Sequence, residues 1–381
     1  MEEKLSSVAK NFTPSPIQEL SHLAQRCNAI NLAEGFPDFP APLQIKDTAV
    51  SAINSDFNQY RHVQGICDHL AATMKKMHDL DVNPLTDIAI CCGQTEAFAA
   101  AIFAVIDPGD EVVLVDPSYE TYEGCITMAG GVPVYVALDP PQWTLCPGKL
   151  LKSFTARIKA IVLNSPHNPT GKVFSKEELE VIAEACCRWD CLAITDEVYE
   201  QITFDDKKHI SLASSQECKR ELSSHPPWLK LLVLQVGELD GLLLQLLLHL
   251  QSETFIPPEY FEGLKKEYEF KRDFVVKVLT SVGFQIHFKP QGSIFLFAEL
   301  PKNCLLSDVE YVKELIKEAG VVAVPGCGFF HTKLSMEPSS EASCNYPKRY
   351  VRFAFCRSIA TLAAAAQKFS DLKIATRYEQ P

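Results

Sequence analysis

No stripe of basic residues, no CxxC pair and no uninterrupted apolar stretch of membrane length occurs in this 381-residue sequence. The net charge of −12 excludes the electrostatic footprint of a nucleic-acid binder. The fourteen cysteines are scattered through apolar contexts, as at Cys91–Cys92, Cys186–Cys187 and Cys191, so neither a zinc framework nor a disulfide scaffold is indicated. No metal site is read from the sequence. The leucine-rich run at 229–250 is broken by Lys230, Glu238, Asp240 and His249. It falls short of the ~18 clean apolar residues that a membrane span needs. MEEKLSSVAKNF at the start carries two early acids and no apolar core, unlike a secretory or transit signal. A reducing, cytoplasmic setting is expected, with an organellar one open should a targeting segment precede this chain. Internal repeats and low-complexity tracts are also absent.

What is present is globular: 47% hydrophobic and 22% charged residues, in a chain long enough for two domains or one large α/β domain with an appendage. Ser15 and Pro16 open a helical pattern as N-cap and first helical residue. The turn Asp107-Pro108-Gly109-Asp110 leads into EVVLV, and IKAIVLNS (158–165) and CLAIT (191–195) are similar β-branched runs. Such runs suit parallel strands covered on both faces. Between the last two lies SKEELEVIAEACCRW, with Ser175 and Glu178 spaced as a capping box. The result is a βαβ unit, and hence a mainly parallel sheet with its ligand at the strands' carboxyl ends. From about residue 281 the pattern becomes that of a smaller α+β unit.

Polar residues cluster where such a sheet would present them. Asn164-Ser165-Pro166-His167-Asn168-Pro169-Thr170-Gly171 follows one strand, and Thr195-Asp196-Glu197-Val198-Tyr199 ends the next. Together these motifs resemble the class I, fold-type-I pyridoxal-phosphate aminotransferases, most of all the kynurenine aminotransferase / glutamine transaminase K branch. The resemblance runs over about 15–213 and 257–375. It implies a large, mainly parallel sheet domain (42–280) and a smaller α+β domain built from 1–41 and 281–381. It implies pyridoxal 5′-phosphate as cofactor, with Asp196 keeping the pyridine nitrogen protonated so that the ring withdraws electrons. Asn168 and Tyr199 would hydrogen-bond the ring's phenolic oxygen, and Tyr119 would stack on the ring. Gln94 and Thr95, in Cys92-Gly93-Gln94-Thr95-Glu96, would bind the phosphate at a helix N-terminus. Gly35 and Arg352 would hold the substrate's α-carboxylate, the latter through its planar fork. Tyr60 would reach the partner subunit's site in a homodimer. Amino acids and 2-oxo acids are the implied substrates, with kynurenine, glutamine, methionine or an aromatic amino acid as donor. No nucleic-acid or membrane partner is implied.

Residues 214–256 break this pattern. The family carries its catalytic lysine in a block of the form Ser-Ser-Leu-x-Lys-Thr-Phe, and nothing in the stretch spells it. Lys230 nevertheless stands at the interval after Asp196 where that lysine is expected, and it is the candidate catalytic residue. Codons chosen for HPPWLKLLVLQVGELDGLLLQ read SSLAKTFSVTGWRVGWAIAP one base earlier, which is family-like. The same shift turns SQECKRELSS into PGMQERTIIT and LLLHLQSETF into ASIASAIRNI. A one-base frameshift near Ser214, restored near Ile256 with loss of residues, accounts for the stretch. It leaves Glu238 where a phosphate-binding base is expected, and it predicts unpaired neighbouring strand edges and weak cofactor binding. Two readings follow: an aminotransferase, or a catalytically impaired or silent isoform of one.

Overall fold

The computed structural model describes residues 4, 6–10, 16–56, 64–214, 231–234, 258–331 and 346–370. Five parallel strands form the main sheet: β2 (Glu111–Asp116), β3 (Val132–Ala137), β4 (Ile158–Asn164), β5 (Leu192–Asp196) and β6 (Leu231–Leu234). Their spatial order is β3-β2-β4-β5-β6. The chain runs outward from β2 to β3 and then returns to place β4 on the other side of β2. The order therefore reverses between β2 and β4, and the crevice beyond the carboxyl ends of these strands is the natural ligand site.

The runs that form β2, β4 and β5 are apolar because both faces are covered. Every residue of β2 and β5 is buried. Gly109, at φ 96°, makes the turn into β2. Helix Lys176–Trp189 starts at the expected capping box, with Ser175 Oγ accepting from Glu178 N–H and Glu178 returning to the Ser175 N–H. Helix Gln94–Val105 packs its Phe98 against Tyr122 of helix Glu120–Met128, ring centroids 4.7 Å apart.

A second sheet is antiparallel. In it β10 (Tyr350–Ala354) lies between β7 (Phe295–Glu299) and β9 (Val324–Pro325). Near the start of the chain β1 (Ile30–Asn31) pairs in parallel with β8 (Val321–Val322). One continuous core joins the sheets, running from Val113 and Ile161 to Phe295, Val322 and Val351.

Two expectations need correction or limit. The outer edge of β5 was expected to be unpaired. Instead β6 covers it, with Ala193 opposite Leu231 and Asp196 opposite Leu234. Four consecutive apolar residues satisfy the edge's hydrogen-bonding demand whatever frame they came from, because backbone pairing does not read side chains. Lys230, Glu238, Tyr60 and the rest of 214–256 beyond Ser214 and β6 lie outside the described residues. Among the described residues, no helix is long and apolar enough to cross a membrane.

Candidate active site

Two strand ends build the floor of the crevice. β4 ends at Asn164 and β5 at Asp196, which pair in register. Asn164 ties them together: its Nδ2 donates to the Asp196 carbonyl at 3.0 Å, and its Oδ1 accepts from the Asn168 N–H at 2.7 Å. The tight turn that follows returns Gly171 N–H to the His167 carbonyl at 2.7 Å. Gly171 has φ 74°, and a Cβ there would lie 2.5 Å from Pro290 Cβ, so the turn needs glycine. Asn168 is thereby held at the carboxyl end of the sheet, beside Asp196.

Asp196 is almost fully buried. Burial pushes its carboxyl up to about 6, opposed by a hydrogen bond from Tyr122 Oη at 2.5 Å and one from the Val198 N–H at 3.3 Å. A buried acid with only these donors is an anion kept at a cost, and a cationic N–H nearby would relieve it. Tyr199 is half-buried, and burial and the Asp196 charge both raise its phenol. Tyr119 lies just before helix Glu120–Met128, its ring edge-on to Tyr122 with centroids 5.6 Å apart. His167 is buried and pushed down to about 3 by burial and the Lys172 charge, so it is neutral.

Arg352 enters from β10, where it sits opposite Phe297 and Val324. Its Nη1 donates to Asn168 Oδ1 and its Nη2 to the Ala33 carbonyl, both at 2.9 Å, while Nε is buried and unbonded. The guanidinium lies 4.0 Å from the Phe295 ring centre and 4.7 Å from that of Phe329. Burial lowers it only to about 10, so it is charged at neutral pH. Among the described residues no carboxylate pairs with it. Gly35 adjoins this group, and a Cβ there would meet Phe295 Cζ at 2.5 Å.

Gln94 and Thr95 occupy the first turn of helix Gln94–Val105, behind Gly93 at φ 86° with no side-chain cap. Gln94 Nε2 is buried without a partner, and Thr95 is exposed. The helix connects to the crevice through the Phe98–Tyr122–Asp196 chain of contacts. The structure therefore brings Asn168, Asp196, Tyr199, Tyr119, Arg352 and Gly35 around one crevice and sets Gln94 and Thr95 at a helix start beside it. Lys230 and Tyr60 fall outside the described residues.

Several members were missed in the sequence. Tyr122 is three residues after Tyr119, a helical spacing that could have suggested it. Asn164 was placed at a strand end but given no role, and Phe295, Phe329 and the Ala33 carbonyl carry no local signal. Also unforeseen was a buried network next to Asp196. His209 Nε2 lies 2.9 Å from Glu197 Oε2, Ser211 Oγ donates to Glu197 at 2.9 Å, and His78 Nε2 lies 3.0 Å from Glu200 Oε2. Ligand atoms of His78, Glu197 and Glu200 fall within 4.8 Å of one another, with imidazoles and carboxylates serving as each other's hydrogen-bond partners.

The residues present fit pyridoxal phosphate. The orphaned Gln94 amide at a helix start suits an anion, and the buried Asp196 carboxylate suits a pyridinium N–H.

Comparison with known proteins agrees. The family model for aminotransferase class I and II matches residues 28–235 and ends inside the anomalous stretch. Kynurenine–oxoglutarate transaminase 1 of Homo sapiens is 31% identical over 415 residues, covering 94% of this chain and 96% of the relative. A probable N-succinyldiaminopimelate aminotransferase of Mycobacterium tuberculosis is 32% identical over 388 residues, covering 95% and 96%. Among solved structures, the N-succinyldiaminopimelate aminotransferase of that organism superposes with TM-score 0.80 at 29% identity, over 96% of this chain and 99% of that one. An Escherichia coli protein described as having methionine aminotransferase function gives 0.80 at 26%, over 97% and 99%. The chain belongs to the class I and II aminotransferases, enzymes of the fold-type-I architecture that work with pyridoxal phosphate.

Proposed function

We propose that this aminotransferase takes its amino group from kynurenine, glutamine, methionine or an aromatic amino acid and passes it to a 2-oxo acid. The observation that carries the substrate assignment is Arg352. It is a buried cation whose partners are neutral oxygens, with Nε unbonded and two aromatic faces against it. Leaving a charge so enclosed without a counter-ion is expensive, and a substrate α-carboxylate is the ion that offsets it. Asn168 Oδ1 accepts from the guanidinium Nη1. With the cofactor bound, Asp196, held by Asn164 and Tyr122, would keep a proton on the ring nitrogen, and Tyr199 and Asn168 would hydrogen-bond the ring's phenolic oxygen. Gln94 and Thr95 would offer donors to the phosphate. The bound cofactor supplies the electron sink that stabilises negative charge at the substrate Cα. The aromatic lining of Phe295 and Phe329 and the names of the relatives support the donor class. Mixing purified, cofactor-supplemented chain with 2-oxoglutarate and, in turn, L-kynurenine, L-glutamine, L-methionine or L-phenylalanine tests the reading. Glutamate formation is expected, and none with any of the four donor classes would refute it.

A second reading, a catalytically impaired isoform, rests on the sequence around Lys230: Leu229 and Leu231 stand where the family's block has other loop residues, and Glu238 stands where a phosphate-binding base is expected. On this reading Lys230→Ala leaves the cofactor's affinity and visible absorbance unchanged. Loss of the absorbance band in the variant would overturn it.

The homodimer is part of the proposal. Leu43, Val50 and Ile53 are exposed along one face of helix Leu43–Asn54, a stripe that a second copy would cover. Sedimentation velocity giving only monomer at micromolar concentration would remove it.

A further inference from the structure

His331 lies more than 200 residues from Asp116 and Glu123, yet it contacts both side chains. Its Nδ1 lies 2.6 Å from Asp116 Oδ1, and its backbone N–H donates to the same oxygen at 3.2 Å. Its Nε2 lies 3.1 Å from Glu123 Oε2. The Tyr135 ring of β3 stacks on the imidazole, centroids 4.0 Å apart and planes 12° from parallel. Two residues earlier, the Phe329 carbonyl accepts from Ser118 N–H at 2.8 Å. The segments Asp116–Ser118 and Phe329–His331 are therefore joined at three points.

What each segment carries gives the contact its meaning. Phe329 is one of the two rings against the Arg352 guanidinium. Asp116–Ser118 runs directly into Tyr119 and then into helix Glu120–Met128, which supplies Tyr122 to Asp196 and Glu123 to His331. One imidazole, with both nitrogens facing carboxylates, thus ties the wall behind the carboxylate-binding arginine to the helix that holds the cofactor's acid. Asp116 is almost fully buried, and burial pushes its carboxyl upward while the His331 contact opposes this. Without the imidazole, a buried carboxylate would keep only the backbone N–H at 3.2 Å.

We propose that His331 is a positioning residue for substrate binding. It fixes Phe329, and through it Arg352, at the correct distance from Asp196, without itself touching substrate or cofactor. The inference rests on the assignment of Arg352 as the carboxylate site, and the test separates the two. 3-Phenylpropionate, a carboxylate without an amine, is titrated calorimetrically into cofactor-supplemented wild-type chain and into the His331→Phe, His331→Gln and Glu123→Gln variants. Cofactor binding is followed separately by visible absorbance.

His331→Phe keeps a ring to stack on Tyr135 and loses both nitrogens. Its affinity for the carboxylate is expected to fall about tenfold, the scale of one well-placed hydrogen bond, with cofactor affinity within about twofold of wild type. His331→Gln, which retains a donor toward Asp116, is expected to recover to within about threefold. Glu123→Gln removes charge only at the exposed end, preserves the fold, and is expected to weaken binding about threefold. In turnover, KM for the amino donor should rise while kcat changes less. Wild type that binds no carboxylate refutes the Arg352 assignment and this inference with it. Wild type that binds, with His331→Phe binding equally well, refutes this inference alone. A parallel loss of carboxylate affinity, cofactor affinity and folded fraction in His331→Phe reduces His331 to a structural staple and also refutes it.

Discussion

Replacing Asp196 with asparagine should make the cofactor-free chain more stable at neutral pH while impairing what it does. The carboxyl is almost fully buried and raised from its ordinary 3.8 to about 6, first by loss of water and against the opposing Tyr122 hydrogen bond. An acid whose folded-state value lies above its unfolded one loses stability as pH rises. The penalty is absent below about pH 4 and complete above about pH 6. At about 1.4 kcal/mol for each tenfold change in acidity, the cost at pH 7.5 is about 3 kcal/mol. Asparagine is nearly isosteric: Oδ1 still accepts from the Val198 N–H, and Nδ2, replacing the oxygen that accepts from Tyr122 Oη, makes Tyr122 the acceptor instead of the donor. Urea unfolding of the cofactor-free wild type and Asp196→Asn chains, followed by tryptophan fluorescence, measures the difference. The variant should gain about 3 kcal/mol at pH 7.5 and only about 1 kcal/mol at pH 4.5. Its affinity for pyridoxal phosphate should fall at least about tenfold, since a charge-assisted hydrogen bond is lost. A variant no more stable than wild type at pH 7.5, or a gain equal at both pH values, would show that Asp196 is not a buried anion awaiting a cation.

Tyr122→Phe removes the donor that opposes the rise at Asp196, so the cofactor-free chain should lose about 1.5–3 kcal/mol at pH 7.5 and less below pH 5, measured by the same unfolding experiment. Arg352→Lys keeps the charge but loses the planar fork that spans Asn168 and Ala33; KM for the amino donor should rise about 10–100-fold, with the cofactor's absorbance titration unchanged. Gly35→Ala drives a methyl group to 2.5 Å from Phe295 Cζ, and relief of that overlap should cost about 1–3 kcal/mol, read as a lowered Tm together with a raised KM as the ring behind Arg352 shifts.

The parts of the site that could be read from the sequence are those where chemistry and secondary structure are written in the same few residues. β4 and β5 are continuous apolar runs ending in polar residues, so Asn164, Asn168 and Asp196 could be placed at strand ends before any pairing was known. Arg352 was legible because it is the one charged residue in a strand-like apolar run, Tyr350-Val351-Arg352-Phe353-Ala354. Tyr122 and His331 were not, since each acts through a partner 74 or 215 residues away, and Phe329, 23 residues before Arg352, carries no local pattern of its own either. The pairing of β6 was unreadable for a different reason. The anomalous stretch was read through the side chains it lacks, whereas a parallel edge needs only backbone amides and carbonyls.

That distinction bears on the anomaly itself. The hydrogen bonds that fix Asp196, Asn168 and Arg352 come from Tyr122, Asn164, Val198 and Ala33, all outside 214–256. The stacking rings Phe295 and Phe329 and the His331 contacts also come from the flanks. Recognition of a pyridinium, and of a carboxylate at Arg352, is therefore determined by segments whose sequence is family-like throughout. The lysine block and the phosphate-binding position at Glu238 depend on the altered stretch. The two functions separate, so a chain with this sequence should retain measurable affinity for pyridoxal phosphate and for substrate-like carboxylates even where turnover is lost. Loss of both together would mean that the flanks do not hold the site by themselves, and that the block replaced between Ser214 and Ile256 shapes the crevice as well as supplying its amine.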